Sequence, residues 1–348
     1  MKAIKTITAL LVILFIFTNC GNNAPAISES KSDRVSSKQD TTRRIEILQA
    51  EALKLLDSSA VIEILAKGFK WTEGPLYIKD GDFLIFSDIP NNKIYKWKEG
   101  ADTSLYLMPS GYTGTAPKGK EPGSNGLILN KSGQLVLMQQ GDRRLATMDA
   151  PLGAPQPRFK VLADKYNGKR LNSPNDAVLA ANGAIYFTDP PYGLDKRLED
   201  TAKQLNFQGV FYLRPDGKLI LVTDELKYPN GIALSPDGRY LYVDNSDPAN
   251  KLWMKYELDG NGLIKNKTIF YRAIADEGKD NGSPDGMKIN EAGYLFTAGP
   301  GGIWIFNPKA EVIARIYTGQ ATSNCAFGRD HKELFITSSA YLMRVKLK

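Results

Sequence analysis

Apolar and polar residues alternate with a period of two along most of the chain, and the alternation comes in six similar phrases. Each phrase starts at a polar residue, runs through an apolar strand, turns near a glycine and returns. The starts are Glu73, Asn125, Asn175, Asn230, Asp285 and Asn324. The first reads EGPLYIKDGDFLIFSD and the fourth, from two residues before its start, YPNGIALSPDGRYLYVD. In the first five, a glycine stands eight residues after the start: Gly81, Gly133, Gly183, Gly238 and Gly293. The sixth has Lys332 there. An apolar run, a glycine-bearing turn and a second apolar run predict an antiparallel hairpin. Units of roughly 40–55 residues that hold several short strands predict an all-β fold, a six-bladed β-propeller.

The two ends of a hairpin lie at one level, so each starting residue and the residue 14–15 positions on share a face of the disc. The first strand of a propeller blade lines the central channel. Glu73, Asn125, Asn175, Asn230, Asp285 and Asn324 are therefore expected to ring one channel mouth. Two carboxylates among carboxamide oxygens, without His or Cys, suit Ca²⁺ or another hard divalent cation rather than Zn²⁺. The same arithmetic brings Asp88, Gln140, Asp189 and Asp244 near that mouth. Arg170 stands in the approach to Asn175. Arg170 and Asn125 are candidates for contacts to substrate hydroxyl or carbonyl groups, with Gln140, Asp189 and Asp244 as further substrate-binding candidates.

The phrases WTEGP, LNSPND, YPNG and SPDG, with GDRR and FTDPPYG between them, resemble the gluconolactonase/regucalcin family over roughly residues 60–348. The resemblance implies a six-bladed propeller with a catalytic Ca²⁺ at the channel mouth. It maps the family's metal-binding Glu onto Glu73, its middle Asn ligands onto Asn175 and Asn230, and its Asp onto Asp285. Some members use the Asn at the position of Asn175 to hold substrate or a metal-bound water. Similar bacterial members carry His in a QHGDRR motif where this chain has Gln140.

The N-terminus adds a second expectation. Lys2 and Lys5 precede an apolar run from Ile7 to Phe17, and Cys20 follows in Phe17-Thr18-Asn19-Cys20. A charged start, an apolar core too short to span a bilayer and a cysteine at the cleavage point resemble a bacterial lipoprotein signal. The expected organisation is a signal peptide at 1–19, a flexible tether at 20–41, and a propeller with a short N-terminal helix at 42–348. The helix is placed between Thr42 and Leu56, where Ile45, Leu48, Leu53 and Leu56 share a helical face. Ala60–Phe69 is expected to pair with the region Tyr341–Leu347 and close the ring. Such a chain would be exported to the bacterial cell envelope, lipid-anchored through Cys20 and facing the periplasm.

Composition narrows the chemistry. Of 348 residues one is histidine, His331, placed in a turn away from the polar ring. That argues against Ser-His-Asp and Cys-His machinery and against His-rich zinc sites. The second cysteine, Cys325, reads as a buried apolar residue. The net charge of +7 comes from scattered Lys and Arg without a basic–aromatic cluster, so no nucleic-acid partner is expected. Two long connections, 109–124 and 190–207, begin or end at the ring face and are expected to wall the pocket.

The chemistry that remains is metal-assisted hydrolysis. The expected reaction opens a sugar lactone such as D-glucono-1,5-lactone, with the ion polarising the carbonyl and Asp285 as general base or nucleophile. Two rivals stay open. One is an esterase or phosphotriesterase at the same metal. The other is a non-catalytic Ca²⁺-binding propeller that binds a sugar or a partner protein.

Overall fold

Residues 42–116, 118–274 and 281–348 are described by a computed structural model. The expected signal peptide, Cys20 and the tether lie outside the described residues. Among the described residues six antiparallel sheets of four or five strands form the blades, with the first strand of each phrase at the channel edge of its sheet, and a two-stranded ribbon accompanies them. The inner strands are Thr72–Ile78, Ser124–Leu129, Ala177–Leu179, Pro229–Leu234, Met287–Ile289 and Thr322–Phe327. The six-bladed propeller is therefore present as expected.

The period-two pattern explains why the blades stack. In the strand Ile185–Asp189, Ile185 and Phe187 face the second blade and join Val136, Met138 and Leu145. Tyr186, between them, faces the fourth blade and joins Leu241, Val243 and Met254. Both faces of a blade are thus buried, and each large side chain removed from water contributes roughly 1.5–3 kcal/mol. The interface of the fourth and fifth blades is aromatic: Trp253 stands 5.5 Å from both Trp304 and Phe306.

The ring closes through a sheet made from both ends of the chain. Glu63–Lys67 pairs antiparallel with Tyr341–Lys346, as expected, with Glu63 opposite Arg344. Arg344 is buried on this seam and donates to Glu63 Oε2 and Glu333 Oε1, each at 3.0 Å. Closure removes the open edge that a terminal strand would otherwise expose.

The segment before that strand differs from the expected helix. Arg44–Ile47 is a β-strand on the outer edge of the fifth blade, paired with Val312–Tyr317. Only Ala50–Lys54 turns, as a 3₁₀ helix. Ile45 and Ile47 both pack on the core, two residues apart, whereas Leu48 and Leu53 are 45% exposed. β-branched residues at alternate positions found a free sheet edge, and that pairing outweighed a weak helical periodicity.

Candidate functional site

The site is built at the head of the inner strands. In four blades the ladder carries a register shift there: Glu73/Leu76, Ser124/Leu127, Pro229/Ile232 and Thr322/Asn324. A bulge at a strand head re-aims its side chain, here into the channel. The residue after the ring position is often glycine because neighbouring blades meet there. A Cβ on Gly74, whose φ is +49°, would stand 2.2 Å from the carbonyl oxygen of Asn125. The ring backbone is then held from the preceding blade: Ser87 Oγ donates to Asn125 O at 2.8 Å, and Thr188 Oγ1 to Asn230 O at 2.7 Å.

Glu73, Asn125, Asn175, Asn230 and Asp285 line one cavity of about 670 Å³ at this mouth. Asn324 does not join them. It lies deeper, donating from Nδ2 to Glu73 Oε2 at 3.0 Å and accepting at Oδ1 from Cys325 N at 2.9 Å. Three carboxamide oxygens of the ring, Oδ1 of Asn125, Asn175 and Asn230, are buried without a hydrogen-bond partner. Asn230 is oriented by its other atom, because Nδ2 donates to Ser246 Oγ at 2.9 Å.

An acid unforeseen from the sequence lies beneath. Asp176 follows Asn175, is buried, and accepts from Ala177 N at 2.8 Å through Oδ1 while Oδ2 has no partner. The signal was a break in pattern: the residue after Glu73, Asn125, Asn230 and Asp285 is glycine, but after Asn175 it is Asp. Asp244 shares its situation. Oδ1 accepts from Gly231 N at 3.1 Å, and Oδ2 is buried and unpartnered.

The other candidates from the sequence are placed elsewhere. Asp189 spends both oxygens on the approach loop, accepting from Asn172 N at 2.7 Å and Ser173 N at 2.8 Å. In the first blade Asp88 accepts from Lys70 N and Trp71 N through Oδ1 alone, and from Asn91 Nδ2 through Oδ2 at 2.7 Å. Arg170 sits in a two-stranded ribbon and donates to the carbonyl of Asp142 at 2.6 Å, outside the cavity lining. Gln140 is fully buried with both side-chain polar atoms unpartnered, under Gly193, and does not line the cavity. Hairpin arithmetic gives the level of a residue on the disc but not the side to which it turns. Cys325 is buried, and burial pushes its thiol up to about 12. His331 stacks on Phe327 at 4.9 Å, at the opposite mouth.

The electrostatics follow from crowding acids in a desolvated centre. Burial, and then repulsion from Asp176, raises Glu73; the Gly74 N–H opposes this. Burial, and then repulsion from Glu73 and Asp244, pushes Asp285 well above the usual carboxylate range. Asp176 and Asp244 are raised by the same loss of solvent. The Lys288 ammonium, which opposes the rise of Glu73 and Asp176, donates to Met287 O at 2.9 Å and Asn324 Oδ1 at 3.3 Å. Among the described residues, no three His, Cys, Asp or Glu side chains converge as a metal site by themselves. The donor set here is mixed instead. Unpartnered carboxamide oxygens beside two acids whose charged forms are disfavoured by burial, and then by repulsion among the acids, fit a hard divalent cation.

The sequence profile described as the SMP-30/Gluconolactonase/LRE-like region matches residues 71–340. The chain belongs to the SMP-30/gluconolactonase family. A gluconolactonase of Zymomonas mobilis is 44% identical over 303 residues, covering 84% of this chain and 83% of that protein. A solved gluconolactonase structure from Xanthomonas campestris superposes with a TM-score of 0.75 at 28% identity, covering 88% of this chain and 95% of the other. A structure from Agrobacterium tumefaciens, described as a calcium-binding protein, regucalcin, shares the fold at 16% identity. Its TM-score is 0.65, over 83% of this chain and 95% of that one. In this family member the polar ring and its cavity fall within the matched span.

Proposed function

We propose that this protein hydrolyses a sugar lactone, with D-glucono-1,5-lactone as the reference substrate. The reaction would run at a Ca²⁺ ion held by Glu73, Asn175, Asn230 and Asp285. The observation that carries the reading is the set of buried, unpartnered oxygens at the head of the ring, in a chain 44% identical to a gluconolactonase. When bound, such an ion supplies Lewis acidity toward the lactone carbonyl.

The remaining work falls to this chain's own groups. Asp285 lines the cavity and keeps one oxygen on the Gly286 N–H at 3.0 Å. Its carboxylate either takes a proton from water as that water attacks, or attacks the carbonyl itself. Asn125 lines the same cavity outside the proposed ligand set, and its buried, unpartnered Oδ1 would accept from a substrate hydroxyl. Asp244 and Asp176 lie beneath the ring and add negative charge that favours a cation there. Trp71, Tyr192 and Tyr228 line the wall and limit water around the reacting ester.

Proton release on aldonolactones, aryl esters and a phosphotriester, before and after chelation and with Ca²⁺ restored, tests the reading. Spontaneous lactone opening is subtracted. Acceleration confined to aldonolactones and restored by Ca²⁺ supports it. Acceleration mainly on esters or phosphotriesters keeps the site and changes the substrate. Bound Ca²⁺ without acceleration favours a binding propeller. We further propose that the chain is exported and anchored at Cys20. Membrane fractionation of the natural chain against Cys20→Ala checks this: the variant is expected in the soluble fraction.

A further inference from the structure

Two loops meet over the cavity, and each brings a charged side chain to its wall. Glu121 comes from the connection that ends in the inner strand Ser124–Leu129, and Arg197 from the connection that follows Ile185–Asp189. Both loops are stapled to the scaffold. Asn92 Oδ1 accepts from the N–H groups of Ser110, Gly111 and Tyr112, and Gly123 N donates to Ile89 O at 2.9 Å. On the other side Gly193 N donates to Ser173 Oγ at 2.9 Å. The loops touch, since a Cβ on Gly119 would stand 1.7 Å from Asp195 Oδ1. A site on loops held this way is pre-organised, which recognition of a small flexible polyol requires.

The pair is poised rather than satisfied. Arg197 Nη2 stands 3.8 Å from Glu121 Oε1, beyond hydrogen-bond range. The Glu121 side chain is 27% exposed, whereas that of Arg197 is 56% exposed. Burial pushes Glu121 up to about 7, and Arg197 pulls it back. A shielded carboxyl without a close donor gains most from a ligand that brings hydroxyl groups. Beside it, the guanidinium lies 5.4 Å over the ring of Tyr192, which is stacked on Tyr228 at 5.8 Å. An acceptor, a forked donor and aromatic faces are the chemistry that reads a sugar, with hydroxyls on its edge and C–H groups on its face.

We propose that Glu121 and Arg197 are the specificity pair that recognises the hydroxyl groups of the lactone substrate. Glu121 accepts from them and Arg197 donates to them. The proposal rests on the lactone-hydrolase reading and adds which side chains read the hydroxyl groups of its substrate. A lactone without hydroxyls leaves both groups unserved, and a site built to bind hydroxyls discriminates strongly against such an analogue.

The test compares D-glucono-1,5-lactone with δ-valerolactone, the same ring without hydroxyls, in the full chain with Ca²⁺. Glu121→Ala and Arg197→Met are expected to lower the ratio of kcat/KM for the two lactones by about tenfold or more, chiefly through KM for the sugar lactone. Glu121→Gln, which keeps one acceptor oxygen and the volume, should fall less and serves if the alanine variant melts early. An equal loss on both lactones, or an unchanged ratio, overturns the proposal. If the natural chain hydrolyses neither, the lactonase reading fails and calorimetry with D-gluconate and 5-hydroxyvalerate decides the pair separately. Selective loss of gluconate affinity in the variants keeps the proposal. Equal affinities, or no gluconate binding by the natural chain, overturn it.

Discussion

The two ends of each hairpin are made from similar residues, yet they are finished differently. At the turn end, asparagines serve their own backbone: Asn130 Oδ1 accepts from Ser132 N and Gln134 N, and Asn290 Oδ1 from Tyr294 N. Gly133 and Gly293 take positive φ there, 75° and 84°, as the turns require. At the ring end, Asn125, Asn175 and Asn230 leave Oδ1 buried and unpartnered. Both ends open on a cavity, about 670 Å³ at the ring and about 520 Å³ at the turns. The difference is polar satisfaction. A turn that hydrogen-bonds itself serves stability, whereas buried oxygens left over in a well-ordered strand head call for a ligand.

The largest effect is expected from Asp285→Asn. Loss of the reactive carboxylate should lower kcat by on the order of 10²-fold or more. Repulsion within the acids falls at the same time, so the metal-free variant should melt no earlier than the natural chain. Early melting would move Asp285 from chemistry to fold maintenance. Ca²⁺ sharpens the contrast next. Glu73 and Asp285 have raised values in the fold, so they hold protons that the unfolded chain releases at lower pH. Their contribution to metal-free stability is therefore present at low pH and lost as pH rises through the folded values. Ca²⁺ should relieve that loss, adding about 2.7 kcal/mol at a free concentration a hundred times Kd. Its effect on Tm is expected to be larger at pH 8 than at pH 5, and equal shifts would remove the ring acids from the site.

Asp189 and Asp244 repeat the comparison on a smaller scale. Asp189→Ala strips acceptors from Asn172 and Ser173 and should cost about 1–3 kcal/mol in urea unfolding, with Ca²⁺ affinity kept. Asp244→Asn should instead weaken Ca²⁺ binding, measured by calorimetry, with a smaller change in urea midpoint. The smallest effect belongs to the turn end. His331→Ala loses a stacking contact of about 0.5–1.5 kcal/mol and should leave lactone hydrolysis at the natural level.

Much of the architecture was legible because period-two alternation and a repeated turn are local, and each copy repeats the same information. The six phrases define the six inner strands, and an apolar run near each end of the chain was enough to anticipate closure through Glu63–Lys67 and Tyr341–Lys346. The level of Glu73, Asn125, Asn175, Asn230 and Asp285 followed from the same hairpin geometry. Orientation and depth were settled only when the blades packed together. Asn324 sank to become a donor to Glu73, and Asp176 rose into importance where a glycine was interrupted. Asp189 turned to a backbone loop while Asp244 kept a free oxygen beside the ring. Glu121 and Arg197, 76 positions apart, met only because two loops cross the same mouth. Local alternation determines strand, turn and level, since these depend on near neighbours in the chain. Which polar atom is left without a partner depends on every blade around the channel, and that only the closed tertiary structure could decide.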